Sequence, residues 1–189
     1  GIEIMVPGEG WRLGNARYSA VVHQTASMLL LSADAPLFWL GRDHYNFDYM
    51  DHLVEAITQG NQKIMMGLVY GPEPGTIPED IRDGDFTQDE YREILHDYVT
   101  AVVCRYRDQV AVWSIGNESV GARAIHYPDF WAERVGPDYV DLAFQWAREC
   151  DPDGILLLND SINDSRRDPD TPLYVNAMLA EIRGMKARG

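Results

Sequence analysis

Four short, predominantly apolar runs punctuate this chain: Met28–Leu31, Ile64–Tyr70, Val110–Ile115 and Ile155–Leu158. That pattern constrains the fold more than any other feature. A strand with one wet face alternates apolar and polar residues. Strands apolar at every position are buried on both faces, as in parallel sheets covered by helices. Amphipathic stretches separate the runs. Asp48–Gln59 places Met50, Leu53, Val54 and Ile57 on one helical face. Thr87-Gln-Asp-Glu90 is a capping box, in which the Thr hydroxyl takes the amide three residues on and the Glu reaches back. Behind it, Tyr91, Ile94, Leu95, Tyr98, Val102 and Val103 form an apolar stripe. Gly136–Glu149, with Pro137 in the first turn, and Leu173–Ala187 complete the helices. The Pro/Gly loop Gly71–Gly75 can be neither helix nor central strand. The order predicts an α/β protein, either an open doubly wound sheet or part of a (β/α)8 TIM barrel. Without GxGxxG or GxxxxGK[ST], a nucleotide-binding sheet has no support.

Charge narrows the partners. The 189 residues carry 16 Lys+Arg against 30 Asp+Glu, a net charge of −14. Phosphate neutralisation needs clustered cations, so neither a nucleic-acid nor an anionic-membrane partner is expected. No apolar run reaches the roughly 18 to 20 residues of a membrane-spanning helix. No basic-then-apolar leader opens the chain. Cys104 and Cys150 each fall inside a helix-like segment and outside any CxxC or Cys/His cluster. Two buried free thiols are expected, because the spacing does not argue for a disulfide. Asp80, Asp83, Asp85 and Glu90 miss the EF-hand spacing and read as a turn before a capped helix. The five histidines are scattered without HExxH, and His96 reads as a packed helix residue. No metal and no cofactor are expected.

In both α/β architectures, chemistry gathers where strands end. Ser32, Asp34 and Trp39 follow the first apolar run. Tyr70 ends the second, and Gly116, Asn117 and Glu118 follow the third. Asn159 and Asp160 follow the fourth. Amides and carboxylates read sugar hydroxyls, and Trp and Tyr rings stack on sugar faces. A Glu aimed from a strand end into a partly apolar pocket has the setting for proton donation to a glycosidic oxygen. The bland readings stand beside these: Glu118 as a solvated loop acid, and Asn159 and Asp160 as a strand end capped by bonds to loop amides. Arg123 and His126 lie in the loop after the acid, within reach of a leaving-group sugar or merely solvated.

These residues resemble a known family. Val110-Ala-Val-Trp-Ser-Ile-Gly-Asn-Glu118 is similar to the fourth strand of glycoside hydrolase family 10, the xylanase family, where Trp-Asp-Val-Val-Asn-Glu is typical. The preceding His96 to Arg107 resembles the family's His-Ile and Val-Val-x-Arg-Tyr-Lys. Gly136 to Phe144, Ala147-Arg148, Asp151-Pro152 and Leu158-Asn-Asp160 match its approach to the fifth strand, and Tyr45–Asp48 its entry to the second helix. The resemblance runs from about residue 27 to the last residue, Gly189. It implies that Glu118 is the general acid/base and that Asn117 binds the hydroxyl beside the anomeric carbon. Asn159, Asp160, Trp39, Tyr70 and Asp34 become sugar-site residues. It further implies a secreted retaining hydrolase of β-1,4-xylan or a related plant polysaccharide.

The departures are local. Where the family has Thr-x-Glu-Asn-x-Met-Lys-Trp, this chain has Ser32-Ala-Asp34-Ala35-Pro-Leu-Phe38-Trp39. Both histidines of Gly-His-Thr-Leu-Val-Trp-His are missing from Met65–Gly71, and the family's Tyr after Asn-Asp is Ser161. The glycone-binding wall is therefore eroded while the acid/base strand is kept. A retaining glycosidase needs two carboxylates about 5–5.5 Å apart. Counting about 30 residues per βα unit, the nucleophile falls near position ~208, past Gly189. The expectation is about five of eight units, with a weak first strand near Ile2–Val6 and residues 1–26 matching poorly. Such a segment alone should be inactive and prone to self-association through open strand edges. The other reading is a binding barrel that keeps sugar contacts but has lost turnover.

Overall fold

The computed structural model describes residues 16–32, 38–70, 74–120, 129–160 and 171–188. Helix α1 (Ala16–Thr25) leads into β1 (Met28–Ser32). A small hairpin follows, β2 (Trp39–Gly41) and β3 (His44–Tyr45), then α2 (Asp48–Gln59) and β4 (Lys63–Tyr70). The short α3 (Glu79–Arg82) precedes the long α4 (Gln88–Tyr106) and β5 (Val110–Asn117). Then come α5 (Phe130–Arg134), α6 (Tyr139–Cys150), β6 (Ile155–Asn159) and α7 (Thr171–Arg188). The sheet runs β1-β4-β5-β6 with every pairing parallel. All four apolar runs are therefore adjacent strands of one sheet in chain order, the arrangement of one side of a (β/α)8 barrel. The weak first strand expected near Ile2–Val6 lies outside the described residues.

Local chemistry sets the element ends. The Thr87 capping box forms as expected: Glu90 N donates to Thr87 Oγ1 at 3.3 Å and Thr87 N to Glu90 Oε2 at 2.9 Å. β5 extends two residues past the expected apolar run, so Asn117 belongs to the strand. α6 starts three residues later than expected. Gly136 sits at φ +123°, outside helical geometry, so the Gly-Pro pair precedes the first turn and Asp138 takes the cap position. The hairpin and α1 are too short or too weakly periodic to show as sequence patterns.

Burial on both faces holds for β1, β4 and β5 but not for β6. Ile155 is 62% exposed and Leu157 39%, while Leu156 and Leu158 are half-buried. β6 ends the described sheet order, with α6 and α7 lining a groove beside it. There Arg188 Nε pairs with Asp141 Oδ2 at 2.7 Å, fastening α7 to α6.

An aromatic slab fastens the hairpin to the barrel wall. Trp39 stacks on Tyr98 at 4.5 Å and Phe38 on Phe47 at 5.2 Å, with Tyr45 and Trp131 both stacked on Trp39. Tyr98 Oη donates to Leu68 O at 3.1 Å, tying α4 to β4. Outside the slab, Asp51 of α2 accepts from Arg105 Nε at 2.9 Å and from Tyr106 Oη at 2.7 Å. The Arg105 hydrogen bonds hold the Asp51 carboxyl below its ordinary value of 3.8.

The cysteines correct the expectation of free thiols. Cys104 on α4 and Cys150 at the end of α6 form a disulfide with Cα atoms 4.8 Å apart. Packing of the two helices makes the pair, which a separation of 46 residues could not reveal. Cys104 is also exposed rather than buried.

Two stability predictions follow from these ties. Closing a loop of 46 residues restricts the unfolded chain, so Cys104→Ser with Cys150→Ser should cost about 2–4 kcal/mol in denaturant unfolding. Asp51 is depressed when folded, so its stabilisation is complete above 3.8 and is lost as pH falls through the folded value. With the Asp51 side chain 40% exposed, screening limits the effect to about 1 kcal/mol or less. Unfolding midpoints of Asp51→Asn should thus lie below wild type at neutral pH and converge on it in acid.

Candidate active site

The carboxyl edge of the sheet is set by strand register. Tyr70 of β4 pairs with Asn117 of β5, and Asn117 pairs with Asn159 of β6. Three of the residues singled out from the sequence therefore form one row across adjacent strands. Asn159 Nδ2 donates to Asn117 Oδ1. That bond fixes which way the Asn117 amide faces, because its oxygen is already engaged and its NH2 is left to donate elsewhere.

Glu118 is the first residue past β5, and its backbone is unusual. Its φ is +53°, in the left-handed region that costs a side-chain-bearing residue about 1–2 kcal/mol. Bonds on either side hold it there. Glu118 N donates to Asn159 O at 2.9 Å, and Val120 N donates to Asp160 Oδ2 at 2.8 Å. Ser119 Oγ donates to Asn117 O at 3.1 Å, and both Ser119 and Val120 are buried. The half-buried Glu118 thus rises from a frame that is itself packed. Gly116, two residues earlier, lies close to β6 and α6: a Cβ there would come within 2.9 Å of Leu158 Cδ1 and 3.2 Å of Val140 Cγ1. The β5–β6 register also shifts between Ser114 and Gly116. The glycine before Asn-Glu is legible as a residue, but the close packing around it is not.

The model of the family described as Glycosyl hydrolase family 10 matches residues 15–189. The chain belongs to that family. Among curated relatives, endo-1,4-beta-xylanase B of Thermotoga neapolitana is 33% identical over 121 residues, 63% of this chain and 34% of that protein. Endo-1,4-beta-xylanase B of Paenibacillus barcinonensis is 31% identical, over 63% of this chain and 37% of that protein. Among solved structures, native xylanase 10B from Thermotoga maritima superposes with a TM-score of 0.83 at 25% identity, covering 100% of this chain and 56% of that one. Xylanase 10B from Thermotoga petrophila RKU-1, solved in complex with xylobiose, gives 0.81 at 25% identity over 96% of this chain and 55% of that one. The chain thus spans about a third of these curated relatives and about half of these structures.

Within this family-10 domain the sequence-predicted residues divide. Asn117, Glu118, Asn159 and Asp160 come together at the β5 and β6 ends. Tyr70 occupies the neighbouring register position. Trp39 does not join them: it is 3% exposed and stacked inside the aromatic slab. Phe38, which the sequence resemblance sets at a lysine position, is fully buried against Phe47 and Tyr98. Asp34, Arg123 and His126 lie outside the described residues. Of the acidic turn, Asp80 accepts from Arg42 N at 3.2 Å and Asp83 pairs with Arg82 at 2.8 Å. His96 packs edge-on against Trp146 at 5.1 Å. A groove of about 760 Å3 opens between α6, β6 and α7, and none of Asn117, Glu118 or Asn159 lines it.

Burial gives Trp39 a stability role that mutation can read. Trp39→Ala should destabilise the fold by about 3–5 kcal/mol in thermal or denaturant unfolding, the cost of deleting a large core ring.

Proposed function

We propose that the complete barrel containing this segment is a retaining glycoside hydrolase of β-1,4-xylan or a closely related plant polysaccharide. Glu118 is its acid/base. One observation carries the reading: a Glu held in a left-handed turn at the carboxyl end of a parallel strand, beside an Asn whose amide orientation is fixed. The endo-1,4-beta-xylanase names of the relatives and the xylobiose bound to the Thermotoga petrophila enzyme support the substrate class.

In the first step, neutral Glu118 gives its proton to the glycosidic oxygen as the C1–O bond breaks. A second carboxylate, expected at the end of a later strand about 90 to 110 positions on, forms the new C1–O bond. In the second step, Glu118, now ionised, takes a proton from water as that water's oxygen attacks C1 and the glycosyl-enzyme bond breaks. The Asn117 NH2 donates to the neighbouring sugar hydroxyl, which adds orientation without adding charge. Asn159 holds Asn117, and Tyr70 stands at the adjoining strand end. The Cys104–Cys150 disulfide supports an oxidising, extracellular setting.

A second reading has its own support. Phe38 replaces a polar sugar contact with core packing, as a barrel that binds but no longer turns over would allow. Glu118→Gln in the complete barrel separates the two. Loss of about 10²–10⁴-fold in kcat on xylan supports the acid/base role. The loss should be smaller on aryl glycosides whose leaving group needs no proton. A wild-type barrel that binds xylo-oligosaccharides without cleaving them would establish the binding reading.

A further inference from the structure

The sequence pattern places two sugar-contacting residues, Asn159 and Asp160, at the end of β6, the strand beside the acid/base strand. The hydrogen bonds around Glu118 give Asp160 different work. Glu118 stands at φ +53°, a conformation its side chain disfavours. Two amides of the turn, at residue 118 itself and two residues on, are tied to the last residue of β6 and the residue after it. Glu118 N is held by the Asn159 carbonyl at 2.9 Å, and Val120 N by the Asp160 carboxylate at 2.8 Å. The first tie fixes where the turn begins and the second fixes where it ends. Val120 is 3% exposed and Ser119 fully buried, so an unpaired Val120 N–H would have little water to turn to. Asp160 is half-buried, and a carboxylate accepting a backbone N–H makes a stronger bond than a neutral group does.

We infer that Asp160 is a positioning residue: its carboxylate, through Val120 N, holds the left-handed Glu118 turn that aims the proton donor. Its meaning for catalysis rests on the proposed role of Glu118; the conformational coupling does not. The coupling makes a specific demand. Glycine adopts positive φ without penalty, so a Glu118→Gly chain should need Asp160 much less than the natural chain does.

The test is amide hydrogen exchange at residue 118 in the 189-residue chain, with the Trp113 amide as the control for global opening. Asp160→Ala should speed exchange at residue 118 by about tenfold or more, the effect of losing one charge-assisted hydrogen bond. Asp160→Asn, which keeps an acceptor oxygen, should stay near wild type. In the Glu118→Gly background, Asp160→Ala should change exchange by about twofold or less. Equal acceleration in both backgrounds, or none in either, would overturn the inference. If Asp160→Ala does not fold, the double variant decides: folding restored by Glu118→Gly supports the coupling, and no restoration refutes it. In an active barrel Asp160→Ala should lower kcat with KM little changed, whereas a raised KM at unchanged kcat would return Asp160 to the sugar-binding set. Because exchange needs no turnover, a Glu118→Gln barrel that still cleaves xylan would remove the catalytic reading and leave the coupling intact.

Discussion

β5 is hydrogen-bonded along both edges, to β4 from Ile64↔Val110 through Tyr70↔Asn117 and to β6 from Val112↔Ile155 through Asn117↔Asn159. A strand held on both sides has no freedom to shift its carboxyl end. A one-residue slip would turn every side chain to the opposite face, exchanging the buried Trp113 and Ile115 for their neighbours. The core therefore enforces the register, and the register delivers Asn117 and Glu118 to the sheet edge. The rest of the site is built on that delivery. Asn159 can orient Asn117 only because the two are paired, and the Glu118 turn closes only because β6 stops one residue short of Asp160.

Around this sheet the protein spends aromatic surface on rigidity. The slab from Phe47 through Phe38, Tyr98 and Trp39 to Trp131 joins a two-stranded hairpin to α2, α4 and α5 without a long strand ladder. Indole and phenol rings bury large areas at little cost in side-chain entropy, which lets a hairpin this short hold its place. The cost is polarity: Trp39 Nε1 is buried with no hydrogen-bond partner among the described residues, and the wholly buried Phe38 offers no polar group. The disulfide adds a covalent tie between α4 and α6, the helices on either side of β5 in the chain.

Much of the candidate site was legible in the residues. The Asn-Glu after an apolar run, the capping box at Thr87 and the order of the four strands all depend on neighbours in sequence, and sequence shows neighbours. What it could not show follows a common cause. Trp39 reads as an aromatic at a strand mouth until Tyr98, 59 positions away in the chain, is found stacked upon it. Cys104 and Cys150 read as separate thiols until two helices pack. Ile155 and Leu157 read as buried on both faces, because their apolar character does not say which strand stands at the edge of the described sheet.

The sequence by itself determined that this is a parallel α/β chain, that its third apolar run ends in Asn117-Glu118, and that these residues carry the family-10 pattern. Those facts follow from periodicity and short-range spacing, which survive without a third dimension. Only the tertiary structure decided that Glu118 is held at positive φ, that Asp160 binds Val120 N beside it, and that Trp39 belongs to the core. Each of these depends on a contact between segments that the chain must fold to bring together, and their energies arise from burial and pairing that no local pattern encodes.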